Sequence, residues 1–289
     1  MSGRALVAAA FLMAAWLAGC EPAKEVPEIP DPVDEGPQIP SVSQPAAKKC
    51  VEDAVAAFTQ GQPELVAKTK FVRLTLKGKM VPPQGPPETW IDTTRTIAAA
   101  WPDRFTFRNE THGPGKLPVL TVYLRGTTIT PLSDGQVVSL PDPVEPGRNL
   151  AADVLGQIWM ALMQPLVDPQ AVVFNMQSQI GRGPFPTHTI VLALKNRPLY
   201  QLTFNAKTHE LVQVEYSLTE AGRLSHRAWT MLEHKPGPFG LILPTKMQYV
   251  QDIGPKEQWS EAHWDFPPTI DDAEFHPSGE KEKNDKDNK

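Results

Sequence analysis

Alternation of apolar and polar residues in short segments is the feature that most constrains the fold of this chain. In residues 71–80, Val72, Leu74 and Leu76 alternate with polar side chains, and this period of two is typical of a strand with one buried face. Extended character recurs in ten further segments, residues 90–99, 104–110, 119–125, 137–140, 187–194, 199–204, 211–218, 226–233, 244–251 and 258–266. Short turns join most of them, so the sequence predicts one strongly curved antiparallel sheet of about ten or eleven strands.

Two segments have the period of a helix instead. In residues 49–60 the apolar side chains recur at helical spacing, and Gly61 follows where a C-terminal cap belongs. Residues 150–163 carry a wider apolar stripe, which Pro165 ends. The predicted fold class is therefore mainly β with a few helices (α+β), an incomplete β-barrel whose concave face is covered by helices.

The first twenty residues predict that the protein is located in the bacterial cell envelope. Arg4 precedes an apolar run that is too short to span a bilayer but suits a secretory signal. The run ends in Leu-Ala-Gly-Cys at residues 17–20, which resembles a lipobox. Cleavage before Cys20 would make this cysteine the acylated N-terminus, carrying chains such as palmitate. The alternative is a plain secretory signal in which the cysteine is incidental.

The chain is predicted to contain one domain between two polar segments. The expected divisions are a lipoprotein signal peptide (residues 1–19), a lipidated N-terminus with a proline-rich tether (20–48), a β domain (49–277) and a charged tail (278–289). Prolines and acidic residues in the tether favour an extended chain without a core of its own. Attachment to the membrane is expected through the lipid on Cys20 alone. Glu21, which follows it, favours the outer membrane over the inner one.

Charge and motifs exclude several classes of function. A net charge of −5 without a basic cluster argues against nucleic acid as a partner. The chain contains no nucleophile elbow, zinc-protease motif, phosphate-binding glycine loop or paired-cysteine metal site. The sequence therefore predicts a protein that is not an enzyme and that needs neither cofactor nor metal.

A few titratable residues leave alternatives open. His188 and His209 could meet across neighbouring strands with Glu210 assisting, but exposed turn histidines are the commoner explanation. The acidic pair Asp271 and Asp272 is expected in a solvated loop. Cys50 is interpreted as a small apolar residue on the first helix, the alternative being a redox or nucleophilic thiol.

Aromatic, methionine and aliphatic residues supply the remaining positive signal. A curved sheet covered by one broad helix can leave an apolar cavity, although for each residue taken singly a place in the core is the simpler interpretation. The candidate cavity-lining residues are Leu74, Leu76, Trp90, Trp101, Phe105, Phe107, Leu120, Val122, Leu124, Ile158, Trp159 and Met163.

The order of short patterns gives a resemblance to a known superfamily. After the first helix come a long strand (residues 71–79), a proline-led strand (101–107, Trp-Pro-Asp-Arg-Phe-Thr-Phe), an Asp-Gly-Gln turn (134–136), a hairpin (202–212) and a strand entry (240–246). In these patterns residues 50–277 resemble the periplasmic lipoprotein carriers and receptors (LolA and LolB) and related outer-membrane lipoprotein-sorting proteins.

The resemblance implies a bent, incomplete β-barrel that accepts acyl chains on a concave face closed by helices. In the carriers an arginine that helps to gate the lipid cavity precedes the proline of the proline-led strand, whereas Trp101 has this position here. Together with the predicted lipid anchor, this difference favours a tethered receptor or sensor over a free shuttle.

Three hypotheses for function follow. The first is a monomeric, membrane-anchored periplasmic lipoprotein that binds acyl chains or lipoproteins in an apolar cavity without enzymatic activity. The alternative is an envelope structural or sensor lipoprotein on the same scaffold, with a filled core and a protein partner that the sequence does not identify. The third hypothesis is an enzyme, which a cluster of histidines or carboxylates with perturbed pKa values in an open cleft would support.

Overall fold

The structure, a computed structural model, describes residues 39–81, 89–113, 117–140, 142–179, 184–220, 222–252 and 256–277. The predicted signal peptide, Cys20, the tether as far as residue 38 and the charged tail lie outside these residues, and so does the proline-rich loop at residues 82–87. The predicted domain divisions therefore stay predictions.

The described residues form two α-helices and thirteen strands. Helix α1 is Pro45–Phe58 and helix α2 is Val144–Val154. The strands are β1 (Phe71–Val81), β2 (Ile91–Ala100), β3 (Arg104–His112), β4 (Leu120–Arg125), β5 (Thr128–Ser133), β6 (Gln136–Val137), β7 (Val172–Gln179), β8 (Thr187–Ala193), β9 (Tyr200–Asn205), β10 (Leu211–Glu220), β11 (Arg223–Pro236), β12 (Ile242–Gln251) and β13 (Lys256–Asp265).

All thirteen strands belong to one antiparallel sheet that does not close, which confirms the predicted fold class. Their order is β6-β5-β4-β3-β2-β1-β13-β12-β11-β10-β9-β8-β7. The first and last strands pair in the middle of the sheet, with Leu74 opposite Trp264. Every other pairing joins strands that follow one another along the chain, so two series of hairpins extend outward from the β1–β13 pair.

Two strands were not predicted from the sequence, which raises the number from ten or eleven to thirteen. Strand β5 contains Pro131, a residue that weakens a strand pattern. Strand β7 lies at an edge of the sheet, where its second half is polar and exposed. A register shift between Phe174 and Gln177 also interrupts its alternation, since Asn175 has a positive φ of 53°.

Both helices begin earlier than their apolar periodicity indicates. Helix α1 starts at Pro45. Proline fits the first turn of a helix because an N–H group at that position has no acceptor within the helix. Helix α2 starts at Val144, ahead of the predicted stripe at residues 150–163, and continues as a π-helical turn, Leu155–Trp159. After further turns it ends in a 3-10 segment, Gln164–Val167. We call residues 144–167 the lid segment.

The lid segment and α1 cover the concave face of the sheet. Along β1, Val72, Leu74 and Leu76 point into the core and are 0–2% exposed, as the alternation predicts. Phe58 of α1 and Trp159 of the lid segment lie in the same apolar cluster. The core therefore forms a single layer between the sheet and the covering helices.

A short C-terminal strap covers part of the opposite, convex face. In the 3-10 segment Asp272–Phe275 the ring of Phe275 is buried against Ala100 and Ile270. Asp272 accepts a hydrogen bond from Arg104 at 2.6 Å, and Asp271 accepts one from the backbone N–H of Ala273. The predicted solvated loop at Asp271 and Asp272 is thus an ordered strap that the two carboxylates hold in place.

Candidate functional site

The structure brings most of the predicted cavity-lining residues together in the core. Eight of them are only 1–4% exposed: Leu74, Leu76, Phe105, Val122, Leu124, Ile158, Trp159 and Met163. Trp101, Phe107 and Leu120 are partly buried against the same cluster. Trp90, in contrast, is 37% exposed at the surface. Since the eight buried side chains are covered by one another, a ligand among them requires the lid segment to move.

Polar contacts fasten the lid segment on either side of its central part. On the N-terminal side, Asn149 donates to the carbonyl of Thr219 at 3.0 Å, and the phenol of Tyr200 donates to the carbonyl of Ala152 at 2.9 Å. On the C-terminal side, the buried side-chain amide of Gln164 donates to the carbonyl of Val66 at 2.7 Å. These contacts hold the two ends of the lid segment on the rest of the domain.

The central part of the lid segment, residues 154–163, rests on the sheet mainly through apolar side chains. Ile158, Trp159 and Met160 are 0–2% exposed. Trp159 packs edge-to-face on Trp101, with ring centroids 5.4 Å apart. Trp101 therefore contacts the lid segment directly through an aromatic ring.

The π-helical turn lies against the sheet without room for a side chain at Gly156. A Cβ atom there would lie 2.6 Å from Cε1 of Tyr216 in β10. π-Helical turns are less regular than α-helix and are common at functional sites. The backbone of the lid segment thus lies close to the sheet at the π-helical turn.

A fully buried arginine forms the main polar anchor of the lid segment. Arg227 in β11 is 0% exposed and forms ion pairs with Asp153 of the lid segment and Glu220 of β10. The phenol of Tyr216 donates a second hydrogen bond to Asp153, at 2.7 Å. Two carboxylates share one guanidinium, so this cluster carries an excess negative charge if both are ionised.

Burial dominates the electrostatics of this cluster. It raises the pKa of Asp153 and that of Glu220, against the opposing effect of the Arg227 charge. Burial and the nearby Asp153 carboxylate also raise the pKa of Tyr216 well above its usual value. The two carboxyls and the phenol of the cluster therefore lose their protons at higher pH than the same groups in water.

We expect the Glu220→Gln variant to reveal this shift in the pH dependence of stability. A carboxyl whose pKa is raised by folding stabilises the native state below its unfolded value of 4.5 and loses that contribution as the pH rises through the raised value. The free energy of unfolding of Glu220→Gln should therefore increase relative to the wild type as the pH rises. Urea denaturation of both proteins from pH 4 to 8 measures the difference. A constant difference would contradict the assignment.

A second buried ion pair lies on the concave face beside the first. Arg95 of β2 binds Glu257 of β13 with two hydrogen bonds, at 2.9 and 2.7 Å. Its Nε donates to Asn109 at 2.6 Å, and its guanidinium stacks over Phe107 and Trp259, with centroid distances of 5.3 and 4.9 Å. The negative charge of Glu257 also contributes to the raised pKa of Asp153. One part of the concave face is thus ionic, in contrast to the purely apolar face that the sequence predicts.

The strand period could have identified both arginines. Arg95 has the same parity along β2 as the buried Ile97 and Ala99, and Arg227 has the same parity along β11 as Trp229 and Met231. If the two arginines are considered only as isolated charges along the sequence, they indicate a solvated surface. If their positions are compared with those of the buried residues in the same strand, both arginines fall on the buried face, where they require buried acidic partners.

Cys50 is a buried residue of α1, and burial raises the pKa of its thiol to about 11. A thiol with this pKa is almost entirely protonated at neutral pH, which favours the interpretation as a small apolar residue over a reactive one.

In the full-length chain carrying Cys20→Ser, Cys50 is the single thiol. We expect it to react with a disulfide reagent at pH 7.5 at least about 100-fold more slowly than a free cysteine and to react fully in urea. Absorbance of the released thiolate measures both rates. Rapid reaction of the native protein would restore the functional interpretation of Cys50.

The other titratable alternatives, the histidines, have different neighbours in the structure. His188 contacts Ser178 at 2.9 Å, while His209 lies in the turn between β9 and β10. The histidine influenced by Glu210 is His234, whose pKa is lowered by burial. Across the described ranges, no group of three or more His, Cys, Asp or Glu residues has the geometry to hold a metal ion.

None of the helices in the described residues is both long enough and apolar enough to cross a membrane. No protein-family model and no curated protein matches the sequence.

Several solved structures are similar to the chain. They include a LolA superfamily protein from Nitrosomonas europaea, an outer-membrane lipoprotein-sorting protein domain from Vibrio parahaemolyticus and a DUF1329 family protein from Desulfovibrio piger. Each has a TM-score of 0.48 and 10% sequence identity, and the match covers 80% of this chain and 97–98% of the other. At 10% identity the likeness concerns the fold alone.

Proposed function

We propose that this chain is a non-enzymatic, membrane-anchored envelope lipoprotein that binds an acyl chain between the lid segment and the concave face of the sheet. The observation that carries the proposal is the construction of the lid segment. Its polar contacts at Asn149, Asp153 and Gln164 lie on either side of an apolar central part. A chain entering there exchanges one set of apolar contacts for another.

The free energy available from an acyl chain is sufficient for such an exchange. Each buried methylene contributes about 0.8 kcal/mol, so a chain of a dozen methylenes contributes roughly 10 kcal/mol. This is comparable with the apolar contacts of a few large side chains such as Ile158, Trp159 and Met160. The π-helical turn at Leu155–Trp159 supports the proposal because such turns depart from regular α-helix and are common at functional sites.

The envelope location is part of the same proposal. It rests on the lipobox-like residues 17–20 and on the proline-rich tether, with Glu21 favouring the outer membrane. A domain attached in this way stays within reach of one membrane, which suits a receptor that takes up a chain from that membrane or from a lipoprotein delivered to it.

One observation favours the alternative, an envelope structural or sensor lipoprotein acting through a protein partner. The eight most buried candidate residues, among them Leu74 and Trp159, are 1–4% exposed and fill the concave face. A filled core needs no ligand for stability. In that case the domain would act through its surface, and no chain would enter beneath the lid segment.

Uptake of a fluorescent fatty-acid probe distinguishes the two functions. The full-length chain carrying Cys20→Ser is delipidated and titrated with the probe, and energy transfer from tryptophan to the probe is recorded. We expect saturable uptake and transfer that falls in Trp159→Phe, since the chain lies against Trp159. The Trp90→Phe variant is the matched control, because Trp90 is at the surface.

Each outcome of this titration decides between the proposals. Absence of uptake contradicts acyl-chain binding and leaves the protein-partner function. Uptake with an equal loss of transfer in both tryptophan variants contradicts the location beneath the lid segment.

A further inference from the structure

A second feature lies beside the lid segment, outside the apolar site described above. It is an open surface groove between α2, the turn that joins β8 to β9, the end of β10 and Gly222 in the turn that follows β10. We call it the arginine groove. Its lining includes Arg148, Asn149 and Ala152 from α2, Arg197 from the turn and Leu218 from β10.

The charge of the groove is positive although the chain as a whole is negative. Arg148 and Arg197 are the two basic lining residues and Glu145 is the one acidic residue. No ion pair joins either arginine to a carboxylate in the described part of the chain, whereas Arg73 and Arg104 on the convex face are each paired. Two guanidinium groups without a carboxylate partner can bind phosphate or carboxylate oxygens with paired hydrogen bonds.

The groove lies beside the buried phenol of Tyr200. This phenol donates a hydrogen bond to the carbonyl of Ala152, one of the lining residues, at 2.9 Å. Burial and Asp153 raise the pKa of the phenol, and the positive charge of Arg197 opposes them. Arg197 and Ala152 line the same groove, from the turn between β8 and β9 and from α2.

The floor of the groove is continuous with the apolar core. Ala152 and Leu218 line the groove and also belong to the hydrophobic cluster that includes Trp159. Asn149, next to the solvent-exposed Arg148 on α2, is largely buried and bonded to Thr219. A chain attached to a head group among the arginines therefore reaches the apolar part of the lid segment by displacing the contacts Asn149–Thr219 and Tyr200–Ala152.

We propose that the arginine groove binds the phosphate or carboxylate head of an amphiphile whose chain lies beneath the lid segment. This inference rests on the proposed function and adds a class of ligand to it, an anionic amphiphile. The groove contributes charge-assisted hydrogen bonds, and the apolar site contributes burial of the chain.

Calorimetric titration of the full-length chain carrying Cys20→Ser tests the inference with three probes. Octyl phosphate and octyl glucoside have the same chain with an anionic and a neutral head, and inorganic phosphate has the head alone. All are used below their micelle concentrations. The Arg148→Gln/Arg197→Gln variant removes the two groove charges. The Arg108→Gln/Lys207→Gln variant is the control, because it removes two exposed charges far from the groove in the fold.

We expect octyl phosphate to bind more tightly than octyl glucoside and its affinity to fall as salt is added. The groove variant should lose about tenfold in octyl phosphate affinity for each arginine removed and keep its affinity for octyl glucoside. The control variant should bind both probes as the wild type does.

The remaining outcomes separate failure of this inference from failure of the proposed function. Equal octyl phosphate affinity in the groove variant and the wild type overturns the anion site, while octyl glucoside binding in both upholds the apolar site. Inorganic phosphate binding as tightly as octyl phosphate, with no binding of octyl glucoside, overturns the amphiphile and the proposed function together and supports a site for free phosphate. Absence of binding by all three probes overturns both proposals.

Discussion

The Arg227→Met variant is expected to lose about 3–5 kcal/mol of unfolding free energy, a loss typical of breaking a buried ion pair by removing one partner. Methionine fills a similar volume but leaves Asp153 and Glu220 buried without their cation. The lid segment loses its main polar anchor in the same step. Urea denaturation at pH 7, followed by circular dichroism, measures the loss.

Two further variants show whether charge is the cause. Arg108→Met removes an arginine that is about half exposed, so it should change stability by less than about 0.5 kcal/mol. The triple variant Arg227→Met/Asp153→Asn/Glu220→Gln removes the unpaired charges as well and should recover at least half of the loss. A cost below 1 kcal/mol for Arg227→Met, or no recovery in the triple variant, would contradict the assignment of Arg227 as the anchor.

The Trp159→Ala variant should cost a similar amount, about 3–5 kcal/mol, because it removes a large buried ring and leaves a cavity. The ring is 1% exposed and packs edge-to-face on Trp101. Its loss removes contacts between the lid segment and the sheet, so the lid segment should also become more open to exchange. Denaturation gives the energy, and hydrogen exchange of residues 154–163 gives the local effect.

Trp90→Ala is the matched control for this prediction. Trp90 was predicted to line the same cavity but lies at the surface, so its replacement should cost less than about 1 kcal/mol and leave exchange in the lid segment unchanged. If Trp159→Ala cost as little unfolding free energy as Trp90→Ala, the lid segment would contribute little to the core.

The sequence predicted the sheet well because its strongest signal, alternation, depends on local geometry. Each strand has two faces, and residues such as Leu74 and Leu76 indicate the buried one without knowledge of the partner strand. The prediction missed β5 and β7, where Pro131 and the irregularity at Asn175 break the pattern. These two strands are stabilised by pairing with neighbouring strands, and the local periodicity of a sequence carries no information about that pairing.

The candidate site was predicted only in part, for a related reason. The apolar residues of the lid segment and the sheet share a core, so their type was enough to bring eleven of the twelve together. Trp90, which directly precedes β2, is instead 37% exposed. The ion pairs of Arg227 and Arg95 were missed because their acidic partners, Asp153 and Glu257, are far apart in sequence and meet only in the folded sheet.

Native mass spectrometry of the full chain, extracted gently from its own membrane, is a direct test of acyl-chain binding beneath the lid segment. We expect a chain that begins at an acylated Cys20 and carries one additional lipid, which dissociates from the wild type less readily than from Trp159→Ala. The Trp90→Ala variant should retain the lipid as the wild type does. An acylated chain with no bound lipid, accompanied instead by one protein at fixed stoichiometry, would contradict acyl-chain binding beneath the lid segment.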